Sequence, residues 1–189
     1  MKKKEEIKRL LVIVDMVNGF IREGNMADPG IAGILPAIRN CIESSHCDGL
    51  AFIRDCHPED AAEFRKFPVH CIAGTSESEL VDELREYASD ALDYEKNSTS
   101  AVFAPGFLED INAMTSLEEV IICGCCTDIC VMNLAMPLTN YFDQNNRKVT
   151  VRAPKNLTET YNAPAHPRAE YNEMANRLME LSGVSTEEL

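Results

Sequence analysis

Short apolar runs that close on chemically loaded residues, spaced by stretches of helical periodicity, constrain this chain more than any other feature. Leu10–Val14 closes on Asp15, and Leu50–Arg54 closes on Asp55. Ala91–Tyr94 runs into Glu95 and Lys96, and Val120–Cys123 into a glycine and a cysteine-rich loop. Lys148–Arg152 is a further run. Between them, 31–45, 77–88, 107–114, 129–143 and 167–181 carry apolar residues at the spacing of a helix face. Pro137, inside the fourth of these, is expected to kink its helix or break a hydrogen bond. Buried strands alternating with helices predict a three-layer α/β/α fold with a mostly parallel central sheet of about six strands. The 189 residues suffice for one domain spanning 1–189.

Sheets of this kind keep their chemistry outside the carboxyl ends of the strands. Asp15, Asp55, Lys96 and the Cys125–Cys130 loop are therefore expected along one edge. In that loop, Thr127 or Asp128 can cap the following helix through a side-chain oxygen. The helix start delivers Cys130, whose thiol is expected to ionise more readily than the ordinary value of about 8.5 because of the helix dipole. The bland alternative is that free cysteines are small buried hydrophobes. Cys41, Cys47, Cys71 and Cys123 fit it. Cys123, Cys125, Cys126 and Cys130 could also form a metal knuckle or a disulfide, but a second, distant C-x-x-C pair is missing.

A net charge of −13 argues against nucleic acid or an anionic membrane as a partner, since both require a basic face. Lys2, Lys3 and Lys4 are offset at once by Glu5 and Glu6. Leu10–Val14 is too short to span a bilayer and has no signal-cleavage site after it. A cytoplasmic protein with reduced thiols is expected.

Two constellations carry chemistry. Asp15, Lys96 and Cys130 supply a proton shuttle, a cation and a nucleophile, which suits attack on an amide carbonyl. Taken singly, Asp15 could be a turn residue and Lys96 an exposed lysine. Asp55, His57, Glu63 and His70 supply carboxylate and imidazole donors of the kind that hold zinc, iron or manganese. Taken singly, His57 and His70 could be ordinary loop histidines. His46 follows Ser44-Ser45 near a helix end, where a cation is comfortable, and His166 has no evident chemical partner.

Together these residues resemble the isochorismatase-like cysteine hydrolases, and within them the nicotinamidases. Gly124-Cys125-Cys126-Thr127-Asp128-Ile129-Cys130-Val131 matches the family's G-x-x-T-D-x-C-V motif. The segments Leu11–Phe20 and Lys96–Ser100 match its aspartate strand and lysine segment. The resemblance implies a catalytic triad of Asp15, Lys96 and Cys130. It also implies a cis peptide between Cys125 and Cys126, and an oxyanion hole from the N–H groups of Cys126 and Cys130. It raises Asp55, His57, Glu63 and His70 to a ligand set for a divalent metal, zinc foremost, with iron or manganese as alternatives. Phe20, Phe67, Cys125 and Cys126 are implied to meet the substrate, a small heteroaromatic amide such as nicotinamide. An isochorismatase-type or ureido-compound hydrolase is the alternative on the same fold, and a redox- or metal-sensing protein a remote one. Family members are often homo-oligomers. The chain departs from the family at Gly19, where an acidic residue is usual, and at Leu134 and Pro137.

Overall fold

The computed structural model describes residues 3–44 and 46–189. Lys2 and the expected helix end at Ser45 lie outside the described residues. In chain order the elements are β1 (Arg9–Val14), α1 (Asn18–Ile21), α2 (Leu35–Glu43), β2 (Gly49–Asp55), α3 (Asp82–Arg85) and β3 (Leu92–Lys96). They continue as α4 (Phe107–Ala113), β4 (Glu119–Cys125), α5 (Met132–Gln144), β5 (Thr150–Arg152), β6 (Thr158–Glu159) and α6 (Arg168–Leu181). Among the described residues, no helix is long and apolar enough to cross a membrane.

The sheet runs β3-β2-β1-β4-β5, and every pairing is parallel. β6 pairs with the carboxyl end of β4, where β5 has already stopped. Successive strand residues point to opposite faces, and both faces are covered. Leu11, Ile13, Phe52 and Ile121 pack on one side with Leu35 and Ile38 of α2. Val12, Val14, Ile53 and Ile122 pack on the other with Phe107, Leu134, Leu138 and Met179. The three-layer α/β/α architecture expected from the alternation is the one observed.

Two local expectations change. The stretch from Glu77 to Ala88 is not one helix: a 3-10 turn at Ser76–Ser78 is followed by extended residues before α3. There Leu80 bridges antiparallel to Val17, and Val81 N–H donates to Met16 O at 3.1 Å. Pairing with the segment after β1 outweighs the local helical spacing. The helix expected from Ile31 begins as a 3-10 turn, Pro29–Ile34, and becomes α-helical only at Leu35. Pro137, expected to kink its helix or break a hydrogen bond, does the latter within a continuous α5. Proline cannot donate to the carbonyl four residues earlier, and Ser100 Oγ donates to that Asn133 oxygen at 2.7 Å instead.

Candidate active site

Strand register brings the expected edge residues together. Asp55 and Lys96 are cross-strand partners, and Val14, just before Asp15, pairs with Gly124. The order of strands reverses between β1 and β4, the place where a parallel sheet opens a crevice. Asp15 lies on one side of that crevice and the loop to Cys130 on the other. At Asp15 the backbone turns to a φ of 54°, a left-handed conformation uncommon for a side-chain-bearing residue. Gly124 has a φ of 110°, and a Cβ there would lie 2.0 Å from Val14 O. Only glycine permits this approach of β4 to β1. The Cys125–Cys126 peptide is cis.

The three residues of the first constellation meet. Lys96 Nζ is 2.8 Å from Asp15 Oδ2 and 3.6 Å from Cys130 Sγ, and all three side chains are buried. The ion pair to Asp15 is close, yet neither carboxylate oxygen is in hydrogen-bonding geometry with a donor. Burial raises the Asp15 carboxyl to about 6 against the pull of Lys96. Burial opposes charge on Lys96 as well, but Asp15 and Asp55 hold its ammonium well above the ordinary lysine range.

Cys130 departs from the expected thiolate. Burial pushes its thiol well up, Lys96 works against the rise, and the carboxylates of Asp15 and Asp55 add to it. The helix-end field expected to lower it is outweighed by desolvation. The expected cap is also absent. A π-helical turn, Thr127–Val131, precedes α5, and neither Thr127 nor Asp128 caps it. Thr127 Oγ1 is buried without a hydrogen bond. Asp128 instead accepts from Thr160 Oγ1 at 2.6 Å and lies 2.8 Å from His166 Nε2.

The second constellation forms beside the first. Asp55, His57 and His70 are buried, and each offers a donor atom within 4.8 Å of the others. The two histidines come together because their segments pair: His57 N–H donates to Cys71 O, and Ala73 N–H to His57 O, both at 2.9 Å. Each imidazole donates through Nδ1 at 2.7 Å, His57 to Asn97 Oδ1 and His70 to Pro68 O. Both Nε2 atoms then face Asp55 Oδ2 at 3.3 Å. In the neutral tautomers these contacts set two lone pairs against a carboxylate, which a cation would relieve. His57 Nε2 is buried with no hydrogen-bond partner. Burial tends to raise Asp55, but Lys96 and the two histidines hold it well below the usual carboxylate range. For His57, burial is outweighed by Asp55, and the ring is shifted upward. Glu63, expected as a fourth ligand, is buried on the same cavity wall but stands outside this cluster.

Cys130 of the first group and Asp55 and His70 of the second line one narrow cavity of about 20 Å³, well below the usual size of a small-molecule site. Phe20, Phe67 and Cys126 line it as expected, together with Met26, Thr99 and Ile129. Cys125 does not: its thiol is fully buried and donates to Asp15 O at 3.1 Å. A wider cleft around Cys47 and Tyr87 lies at the amino end of β2 and holds none of these groups.

Residues 9–185 match the Isochorismatase domain. The chain belongs to the isochorismatase family. Within this family it is similar to Nicotinamidase 1 of Arabidopsis thaliana, at 35% identity over 144 residues. That match spans 65% of this chain and 57% of the plant protein, little more than half its length. It is also similar to the crystal structure of nicotinamidase PncA from Bacillus subtilis, at 25% identity and a TM-score of 0.74, covering 96% of this chain and 99% of that one. The pyrazinamidase of Pyrococcus horikoshii in complex with zinc gives a TM-score of 0.74 at 23% identity, with 96% and 99% covered. At that identity the likeness speaks for the isochorismatase-like fold alone.

Several site residues of this family member carried no readable signal. Asn97 fixes the His57 ring, and Phe64 packs edge-on against His57 and His70 at 5.3 and 5.6 Å. Asn97 directly follows Lys96, so its place at the end of β3 was the available clue. Phe64 sits in a loop of no clear period. His46 is exposed beyond the end of α2.

Proposed function

We propose that the chain is a metal-containing cysteine amidohydrolase acting on a small heteroaromatic carboxamide, with nicotinamide the leading substrate and nicotinate and ammonia the products. The observation that carries this reading is that Cys130, backed by Asp15 and Lys96, lines one small cavity with phenylalanine walls together with Asp55 and His70 of the histidine cluster. The similarity to nicotinamidases supports it.

In this reading Asp15 takes the proton from Cys130 Sγ as the sulfur attacks the amide carbon. A thiol kept protonated by burial suits that order, since the charge appears only when an electrophile is there to receive it. The N–H groups of Cys126 and Cys130 receive the developing oxyanion. Asp15 returns its proton to the departing nitrogen, so ammonia leaves and a thioester remains. It then takes a proton from water, whose oxygen attacks the thioester carbon and frees the acid and the Cys130 thiol. Lys96 holds the Asp15 carboxylate and the sulfur in one place. Asp55, His57 and His70 would hold a divalent metal, zinc foremost, with Glu63 as an outer carboxylate; such a metal would anchor the ring nitrogen of the substrate. Phe20 and Phe67 would flank the ring. We place the enzyme in the cytoplasm, where its eight free cysteines stay reduced.

The test is ammonia release from nicotinamide, pyrazinamide, benzamide and ureido compounds, with metal analysis of the same sample. Turnover of the pyridine amide by metal-loaded protein and its abolition by Cys130→Ala are expected. Full ammonia release by Cys130→Ala, or turnover indifferent to chelation in a metal-free protein, would sink the reading.

A further inference from the structure

Asp128 stands two positions before Cys130, and both of its carboxylate oxygens engage the segment ahead of α6. Thr160 Oγ1 donates to Oδ1 at 2.6 Å, and His166 Nε2 lies 2.8 Å from Oδ2. Both side chains of the latter pair are only 8% exposed. Beyond the packing of Ile129, Cys130 and Val131 into the core and the Lys96 contact to Cys130 Sγ, the 127–131 turn has few polar side-chain contacts to fix it. It has no side-chain cap, Thr127 Oγ1 has no partner, and the N–H groups of Ile129 and Val131 share Cys126 O at 3.0 and 3.1 Å.

His166 is itself held on every side. Its Nδ1 is 3.1 Å from Tyr161 O. Its ring stacks on Tyr161 at 3.8 Å and 9°, and on Tyr171 at 3.6 Å and 30°. A carboxylate can only accept, so His166 Nε2 donates to Asp128. The same segment is fastened to the loop bearing Met26: Asp28 Oδ2 accepts from Asn162 N–H at 2.8 Å and from Arg168 Nη2 at 2.7 Å. Residues 158–168 thus join the nucleophile turn to one wall of the cavity.

We propose that His166 is a positioning residue for Cys130. Through its hydrogen bond to Asp128 it fixes the 127–131 turn, keeping Cys130 Sγ within reach of Lys96 and Asp15. Its catalytic consequence rests on the amidohydrolase reading, but the position of the sulfur does not. A displaced turn moves Sγ away from its base and its cation, which slows every reaction of that thiol.

The test uses the whole metal-loaded protein and reads Cys130 alkylation by iodoacetamide at neutral pH, mapped by peptide mass, beside nicotinamide turnover. His166→Phe keeps an aromatic ring in the stack and removes both hydrogen bonds. Asp128→Asn is a near-isosteric second variant, which decides alone if the first fails to fold. Both are expected to slow Cys130 alkylation and kcat, toward the order of 100-fold that a misplacement of about 1 Å can cost, with KM little changed. His166→Gln, which keeps a donor toward Asp128, is expected to recover much of the loss. Wild-type alkylation rates in either variant, or a His166→Gln protein as slow as His166→Phe, would overturn the proposal. Wild-type protein inert toward amides, with the alkylation pattern intact, would instead defeat the functional reading and leave the positioning role standing.

Discussion

Lys96 Nζ donates to Asp55 Oδ1 at 2.6 Å, so the cation beside the nucleophile is bonded directly to the carboxylate of the histidine cluster. The two constellations therefore form one electrostatic unit around a single buried ammonium. Removing that ammonium leaves Asp15 and Asp55 facing each other without a cation. Lys96→Met is expected to lower unfolding free energy by about 3–5 kcal/mol in chelator-treated protein, read by urea denaturation. A loss below about 1 kcal/mol would show that the lysine is not the pivot of this unit.

Asp15 gives a pH signature with opposite signs for rate and stability. Its carboxyl, raised to about 6, must be ionised to accept the Cys130 proton. Ammonia release should fall about tenfold per pH unit below that value. For folding, the native value exceeds the ordinary 3.8, so the native state binds this proton more tightly than the unfolded chain. The group's stabilising contribution is complete below about 3.8 and is lost as pH rises through about 6. Asp15→Asn does not titrate, so its urea midpoint should gain on the wild type as pH climbs across that window. A pH-independent difference between the two proteins would contradict the raised value.

Asn97 offers a test of the metal site away from the donors themselves. Its Oδ1 accepts from His57 Nδ1 and leaves Nε2 aimed at Asp55. Outer partners of this kind typically contribute 10–100-fold to metal affinity. Asn97→Ala should weaken zinc binding by about that factor in competition with a chromophoric chelator. Unchanged affinity would mean that His57 is oriented by its burial alone.

Gly124 is where β4 passes β1 most closely. Gly124→Ala combines a left-handed φ with a contact to Val14 O that no side-chain movement relieves. A loss of more than about 3 kcal/mol, or failure to accumulate as folded protein, is expected. A melting temperature near that of the wild type would show that the two strands can part at little cost.

Much of this was legible from apolar runs and the residues that close them. Leu10–Val14 before Asp15 and Leu50–Arg54 before Asp55 predicted both strand and edge chemistry, because a parallel sheet buries its strands and exposes their ends. What escaped depended on partners distant in sequence. The helix expected at 77–88 failed because Leu80 pairs with Val17. Asp128 was expected to serve the helix that follows it, and it bonds residues more than thirty positions away. Cys125 was expected at the substrate, but the turn at Asp15 draws its thiol to a carbonyl. At Cys130, local sequence reveals a helix start and conceals the depth of burial that pushes the thiol up.

The reacting groups reach the edge from β1, β3 and the loop after β4, which the finished sheet alone brings together, with β2 between β3 and β1. A chain leaving the ribosome therefore carries eight ordinary thiols, and nothing local singles out one of them. Cys130 acquires its lysine and its aspartate in the same event that closes the sheet. Its chemistry is a report of completed folding, and a partly assembled chain has neither base nor cation beside that sulfur.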